Sequence, residues 1–266
     1  MVQANNYKVE NFDPEVLREY DIRGVVGVNI NENTAYTIGR TFGHTVKSKL
    51  TSQTIVTGFD GRLTSPSLHQ ALCEGLKDSG VKVINIGMGP TPMTYFAHYY
   101  FDADAAVMLT GSHNPSEYNG FKMVFNKHSF FAEDIQSLQK LLDNNKLELA
   151  EGHIINQDIT AEYIERNLLN ISLNRKLKVA WDPGNGAMGK VTRKITEKLF
   201  NSENIIINEE VDGNFPNHHP DPTVPKNMIQ LIKTVKENNC DIGLAFDGDG
   251  DRLGVIDNQG NIVWAD

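Results

Sequence analysis

The run Ala105-Ala-Val-Met-Leu109 is apolar at every position and too short for a helix, so it reads as a buried strand. It empties into Thr110-Gly-Ser-His-Asn-Pro115. A small-residue turn at the carboxyl end of a buried strand is where open α/β sheets place their ligand chemistry. Gly111 lets the backbone turn sharply, Ser112 offers a hydroxyl, and His113 and Asn114 set further polar groups beside it. Pro115 fixes φ and removes a donor, which stiffens the turn. Taken alone, these six residues describe an ordinary strand-to-loop turn. A second stretch far downstream, Asp247-Gly-Asp-Gly-Asp-Arg252, gives them a different weight.

The rest of the chain alternates strands with helices. Residues 1–19 form an arm leading into Tyr20-Asp-Ile-Arg-Gly24, where an aromatic ring, a carboxylate, a guanidinium and a turn glycine fall together. Helical spacing covers 34–50, and 54–59 reads as a strand ending in Asp60-Gly-Arg62. Ser65-Pro66 predicts a helix start with Ser65 as N-cap and Pro66 at the first position, and Gly80 stops that helix. A strand over 81–86, a short helix through Tyr100, a strand over 120–125 carrying Lys122, and a helix over 132–142 ended by Asn144-Asn145 complete the first half. This β-α-β-α-β order argues for a layered α/β domain with a largely parallel sheet.

Residues 143–157 are polar without periodicity, which places a domain boundary there: 1–152 and 153–266. The second half repeats the scheme. A helix over 159–169, a strand over 177–181, a helix over 188–200, a strand over 205–208, a helix over 225–238 and a strand over 241–246 precede a terminal hairpin turned at Asn258-Gln-Gly260. His218 and His219, in a proline-rich loop, lack a third ligand at metal spacing and read as loop hydrogen-bonders.

A length of 266 residues suits two domains, each able to bury a core. The net charge of −9, from 25 basic against 34 acidic residues, argues against nucleic acid or an anionic membrane as the main partner. There is no apolar run of spanning length and no apolar leader at the amino terminus. Cys73 and Cys240 read as buried free thiols. The expected compartment is therefore the cytoplasm.

Asp247, Asp249 and Asp251 lie at i, i+2 and i+4, and converge only if Gly248 and Gly250 let the backbone bend. Three like charges this close raise one another's pKa unless a cation compensates them. Hard oxygen donors of this kind suit Mg²⁺. An EF-hand fits poorly, because Arg252 stands where its glycine belongs and Asn258 where its final glutamate belongs. The start of a haloacid-dehalogenase phosphatase is nearer, except that Gly250 occupies its Thr or Val position.

Tyr20-Asp-Ile-Arg-Gly24, Thr110-Gly-Ser-His-Asn-Pro115, Asn119-Gly-Phe-Lys122, Asp182-Pro-Gly-Asn-Gly186, Pro220-Asp-Pro222 and Asp247-Gly-Asp-Gly-Asp-Arg252 resemble, in order and over nearly the whole chain, the motifs of the α-D-phosphohexomutases, the phosphoglucomutase/phosphomannomutase family. The resemblance implies two consecutive three-layer α/β/α domains with mostly parallel mixed sheets, the first two of four. It implies Ser112 as phosphoserine, with Asp247, Asp249 and Asp251 joining the phosphate around Mg²⁺. It implies interconversion of hexose 1-phosphate and hexose 6-phosphate, of glucose or mannose, through glucose 1,6-bisphosphate or mannose 1,6-bisphosphate. A glucosamine phosphate is less expected, since that branch usually carries alanine at the position of Gly111.

Within this resemblance Arg252 and Arg23 would stabilise phosphoryl charge, and Lys122 would shuttle protons from a lowered pKa. His113 would orient the phosphoserine, and Tyr20 and Asn114 would support the phosphate site. The motifs of the third and fourth domains are absent, so the expectation is a truncated chain, or a natural fragment completed by another chain supplying those domains. Two other readings stay open: phosphatase-like hydrolysis, and a metal- or partner-binding module without catalysis.

Overall fold

Asn31 opens the first long helix. Its side chain accepts hydrogen bonds from the backbone N–H groups of Asn33 and Thr34, while the Thr34 hydroxyl accepts from the Asn31 N–H, a reciprocal cap that satisfies orphan donors at both ends of the turn. The computed structural model describes residues 6–144 and 147–264.

The first half carries strands β1 (Ile22–Val25), β2 (Thr54–Phe59), β3 (Lys82–Met88), β4 (Ala105–Leu109), β5 (Tyr118–Phe125), β6 (His128–Ser129) and β7 (His153–Asn156). Its helices are α1 (Glu32–Lys49), α2 (Ser65–Lys77), α3 (Thr91–Tyr100) and α4 (Glu133–Asp143). The sheet order is β1-β5-β4-β2-β3-β7, with β6 beside β5; β4, β2, β3 and β7 run parallel, and β1 and β5 close one side antiparallel. The second half follows with α5 (Thr160–Leu168), β8 (Leu177–Asp182), α6 (Gly189–Lys198), β9 (Ser202–Ile206), α7 (Ile229–Asn238), β10 (Ile242–Phe246), β11 (Leu253–Asp257) and β12 (Ile262–Val263). Its sheet order is β12-β11-β10-β8-β9, parallel at β10-β8-β9 and antiparallel beyond. Both sheets are mixed, as expected.

Alternation along the strands sorts side chains into layers. Ile55 of β2, Val107 and Leu109 of β4, and Phe121 and Met123 of β5 pack in the core beneath α1 and α2. Val56, Ile84 and Ala106 face the other way, into a core with Met93 and Ala97 of α3. That second core also holds Ile159, Tyr163, Met188 and Val191 from the second half, so one apolar layer is shared by the two sheets. A third core, around Leu231 and Val235 of α7 with Ala180, Ala245 and Ile256, belongs to the second sheet alone.

Several sequence expectations are corrected. The arm before Tyr20 is part of the core: Phe12, Val16 and Leu17 are buried with α1, and Leu17 bridges Ile22. Strand β7 adds parallel to β3, so the first sheet takes residues beyond the boundary placed at 152. Ser65 is inside α2; Thr64 occupies the cap position without a side-chain cap bond, and the Ser65 hydroxyl donates to Asp60 Oδ1 instead. β9 ends at Ile206 rather than spanning 205–208. Asn144 caps α4, and Asn145 lies outside the described residues.

Candidate active site

The serine loop and the aspartate loop leave the carboxyl ends of β4 and β10, one in each sheet. Ser112 is 2% exposed and sits in the left-handed region, at φ 50°. A non-glycine residue there costs about 1–2 kcal/mol and persists only where its surroundings hold it. Ser112 Oγ donates to Asp247 Oδ2 at 3.0 Å and lies 3.3 Å from His113 Nδ1. The two loops therefore meet at these side chains, 135 residues apart in the chain.

Asp247 uses its other oxygen on its own loop: Oδ1 accepts from the N–H groups of Asp251 and Arg252, each at 3.0 Å. Asp249 Oδ2 accepts from Thr91 Oγ1 at 2.5 Å and from Lys122 Nζ at 2.8 Å. Lys122 Nζ also donates to Asp251 Oδ2 at 2.6 Å. Alternation explains the reach: Phe121 and Met123 point into the first core, so Lys122 between them points to the face where the second sheet stands. One oxygen from each of the three aspartates lies within 4.8 Å of the others. Asp249 Oδ1 is buried without a hydrogen-bond partner. A buried carboxylate oxygen left unpaired is costly, and an all-oxygen donor set suits a hard divalent cation.

The charges follow from this packing. Burial, and then the charges of Asp249 and Asp251, push the Asp247 carboxyl up to about 8. Burial would also raise Asp249, but the Lys122 ammonium and its hydrogen bonds outweigh it and hold that carboxyl below the usual range. Burial would lower Lys122; Asp249 and Asp251 together outweigh it and raise the ammonium above an ordinary lysine. This direction is opposite to the lowered pKa expected for Lys122, because two carboxylates stand beside its ammonium. His113 is pushed down by burial and then by Arg252.

The family model for phosphoglucomutase/phosphomannomutase alpha/beta/alpha domain I matches residues 14–148, and that for domain II matches residues 161–260. The chain belongs to this family. Among curated relatives, a phosphomannomutase/phosphoglucomutase of Pseudomonas putida is 48% identical, covering 94% of this chain and 54% of its own length. A phosphoglucomutase of Neisseria meningitidis is 42% identical over 96% of this chain and 56% of its own. The crystal structure of a phosphoglucomutase/phosphomannomutase family protein from Burkholderia thailandensis superposes with a TM-score of 0.90 at 39% identity, covering 95% of this chain and 57% of that one. The chain spans about half the length of the curated relatives it matches.

The remaining phosphohexomutase motif residues are placed as follows. Arg23 pairs with Gly120, whose carbonyl accepts the Thr110 N–H at 2.9 Å, so β1 brings Arg23 level with the start of the serine loop. Its Nη2 donates to Asp21 Oδ2 at 2.5 Å, and its buried Nε has no partner. Asn114 turns inward, and both its backbone N–H and its Nδ2 donate to Gly111 O, so it ties the loop. Arg252 is exposed, and its backbone N–H rather than its guanidinium meets Asp247. Tyr20 is 77% exposed and stands before β1 on the surface. No helix among the described residues is long and apolar enough to cross a membrane.

Sequence reasoning passed over Asp60 and Arg62, which join the serine loop, and Thr91, which joins the aspartate loop. Asp60 and Arg62 carried a readable signal, since they follow β2 just as the serine loop follows β4. His218 is, as expected, a loop hydrogen-bonder: its Nε2 lies 2.8 Å from buried Asp182 Oδ2. Burial would lower His218, but Asp182 outweighs that and raises it.

Proposed function

We propose that this chain carries the phosphoserine and metal half of a phosphohexomutase. Ser112 passes a phosphoryl group to a hexose monophosphate and recovers one from the resulting glucose or mannose 1,6-bisphosphate. The net change moves phosphate between O1 and O6. The observation that carries this reading is the 3.0 Å hydrogen bond from Ser112 Oγ to Asp247 Oδ2, which sets a nucleophile-sized group from one sheet against a converging acidic triad from the other.

Asp247, Asp249 and Asp251 are the residues that would hold Mg²⁺, with Ser112 beside them. When bound, Mg²⁺ supplies Lewis-acid neutralisation of phosphoryl oxygens. Phosphoryl transfer asks of the protein chiefly positioning and charge. Asp247 Oδ2 stands within reach of the proton that Ser112 gives up when it takes a phosphoryl group. Lys122, held charged by Asp249 and Asp251, supplies a fixed positive charge at the triad rather than a base. His113 Nδ1 steadies the serine oxygen. Arg23, with its unpaired buried Nε, and exposed Arg252 are the guanidiniums available to a phosphate.

The test is to incubate the purified chain with glucose 1,6-bisphosphate and Mg²⁺, then with the mannose compound, and to read the intact mass and map the modified peptide. Wild type should gain one phosphoryl group on Ser112, and Ser112→Ala none. A wild-type chain that stays uncharged would overturn the reading. Continuous phosphate release without retained label would favour hydrolysis instead.

A further inference from the structure

Among the described residues Arg62 is the largest fully enclosed side chain, at 0% side-chain exposure, and the transfer chemistry makes no use of it. A guanidinium has five N–H donors in a fixed fork, and burying one is tolerable only when each is met. Here each is. Nε donates to Asp60 Oδ2 at 3.2 Å. Nη1 donates to the carbonyls of Pro115 and Tyr118 at 2.5 and 3.0 Å. Nη2 donates to the carbonyls of Ser112 and Asn114 at 2.9 and 2.7 Å. Four of the five acceptors are backbone oxygens of the segment from Ser112 to Tyr118.

Asp60 completes the arrangement from the other side. Its Oδ1 accepts from the Arg62 N–H and from Ser65 Oγ. Its Oδ2 accepts from Thr110 Oγ1 at 2.8 Å and from the Gly111 N–H at 3.1 Å, as well as from Arg62 Nε. Thr110 Oγ1 in turn accepts the Ser112 N–H at 2.7 Å. The carbonyl of Ser112 is thus held directly by Arg62, and its N–H through Thr110 by Asp60. With both backbone groups fixed and φ at 50°, the Cα–Cβ direction that carries Oγ to within 3.0 Å of Asp247 Oδ2 is fixed too. The far side is closed: a Cβ on Gly248 of the aspartate loop would fall 2.5 Å from the Ser112 carbonyl oxygen, and the Phe215 ring centroid lies 5.3 Å from Arg62 Cζ.

The geometry points to Arg62, with Asp60, as the positioning residue for Ser112: a buried guanidinium fork that holds the serine loop in the one conformation aiming Oγ at the aspartate triad. This rests on the reading of Ser112 as phosphoryl carrier. Arg62 does not itself bind substrate phosphate, because all five donors are spent and no surface of the side chain is open. A lysine keeps the charge but offers no planar fork, so the charge alone is not enough.

The experiment compares wild type, Arg62→Lys and Thr110→Val in the full chain. The readouts are the rate of Ser112 phosphorylation by glucose 1,6-bisphosphate, Mg²⁺ binding to the uncharged chain, and amide hydrogen exchange. A displacement of the nucleophile by about an ångström slows reaction by roughly a hundredfold. Arg62→Lys is therefore expected to charge Ser112 ten- to a hundredfold more slowly, with Mg²⁺ affinity kept and exchange faster only over 110–118. Thr110→Val cuts the arm to Asp60 without touching Arg62, and is expected to act in the same direction by a smaller factor. Charging within twofold of wild type in both variants, or loss of Mg²⁺ binding in step with charging, overturns the proposal. Unchanged exchange over 110–118 overturns it as well. Faster exchange there, in a protein whose wild type is never charged, supports the clamp and overturns the phosphoryl-carrier reading alone.

Discussion

Lys122 of the first sheet and Asp249 of the second form an ion pair at 2.8 Å, with the carboxylate at 0% side-chain exposure and the ammonium at 18%. The pair spans 127 positions of sequence and places a cation where a divalent metal would otherwise neutralise the aspartates.

Replacing that ammonium should therefore have opposite effects on the fold and on metal binding. Lys122→Met leaves Asp249 buried beside Asp247 and Asp251 without compensation, a loss of about 3 kcal/mol in the absence of metal. With the competing cation gone, Mg²⁺ should stabilise the variant more than it stabilises wild type. Thermal unfolding in chelator and in Mg²⁺ reads both effects; an equal Mg²⁺ shift in the two proteins would show that Lys122 and the metal do not compete.

His69 should make the protein acid-sensitive. It is fully buried against Cys73 and the Phe59 ring, and burial pushes it down to about 4. The unfolded chain takes up this proton near pH 6.5 while the folded one does not until about 4. The unfolded state binds more protons in that window, so stability falls as pH drops from 6.5 to 4 and levels off below. His69→Gln should flatten the upper part of that slope, which urea midpoints between pH 7 and 5 would reveal. Parallel slopes in variant and wild type would assign the acid sensitivity elsewhere.

Gly111→Ala should disturb the serine loop through Arg62. A Cβ at 111 would lie 2.4 Å from Arg62 Cζ and Nε and 2.7 Å from the Tyr118 carbonyl oxygen. Overpacking of this kind costs about 1–3 kcal/mol. Denaturant midpoints should fall by that amount, and Ser112 charging should slow further than stability alone accounts for. An alanine variant with unaltered stability would mean the guanidinium can move aside.

The shared apolar layer should couple the two halves. Tyr163 of α5 packs 5.6 Å, ring to ring, from Phe96 of α3. Tyr163→Ala should cost about 3 kcal/mol and split one calorimetric transition into two, as the second sheet loses its hold on the first. A single transition at a lower temperature would show that the remaining contacts of Met188 and Val191 suffice.

By itself the sequence determined what is local. Ala105–Leu109 is a strand because five apolar residues bounded by turn formers leave no other way to bury them. Asn31 starts a helix because its side-chain oxygen accepts from the N–H groups of Asn33 and Thr34. Ser112 and the triad of Asp247, Asp249 and Asp251 could be singled out because glycine spacing and like charge are properties of neighbouring residues. Tertiary structure alone decided what depends on distance through space. Lys122 is raised rather than lowered because Coulomb energy follows separation, and the nearest charges, Asp249 and Asp251, come from the other sheet. β7 joins the first sheet because β3 offers it an open parallel edge, whatever the polarity of the residues before it. Arg62, read from the sequence only as the end of a strand, became the centre of the serine loop because only a folded chain brings four carbonyls of that loop around one buried guanidinium.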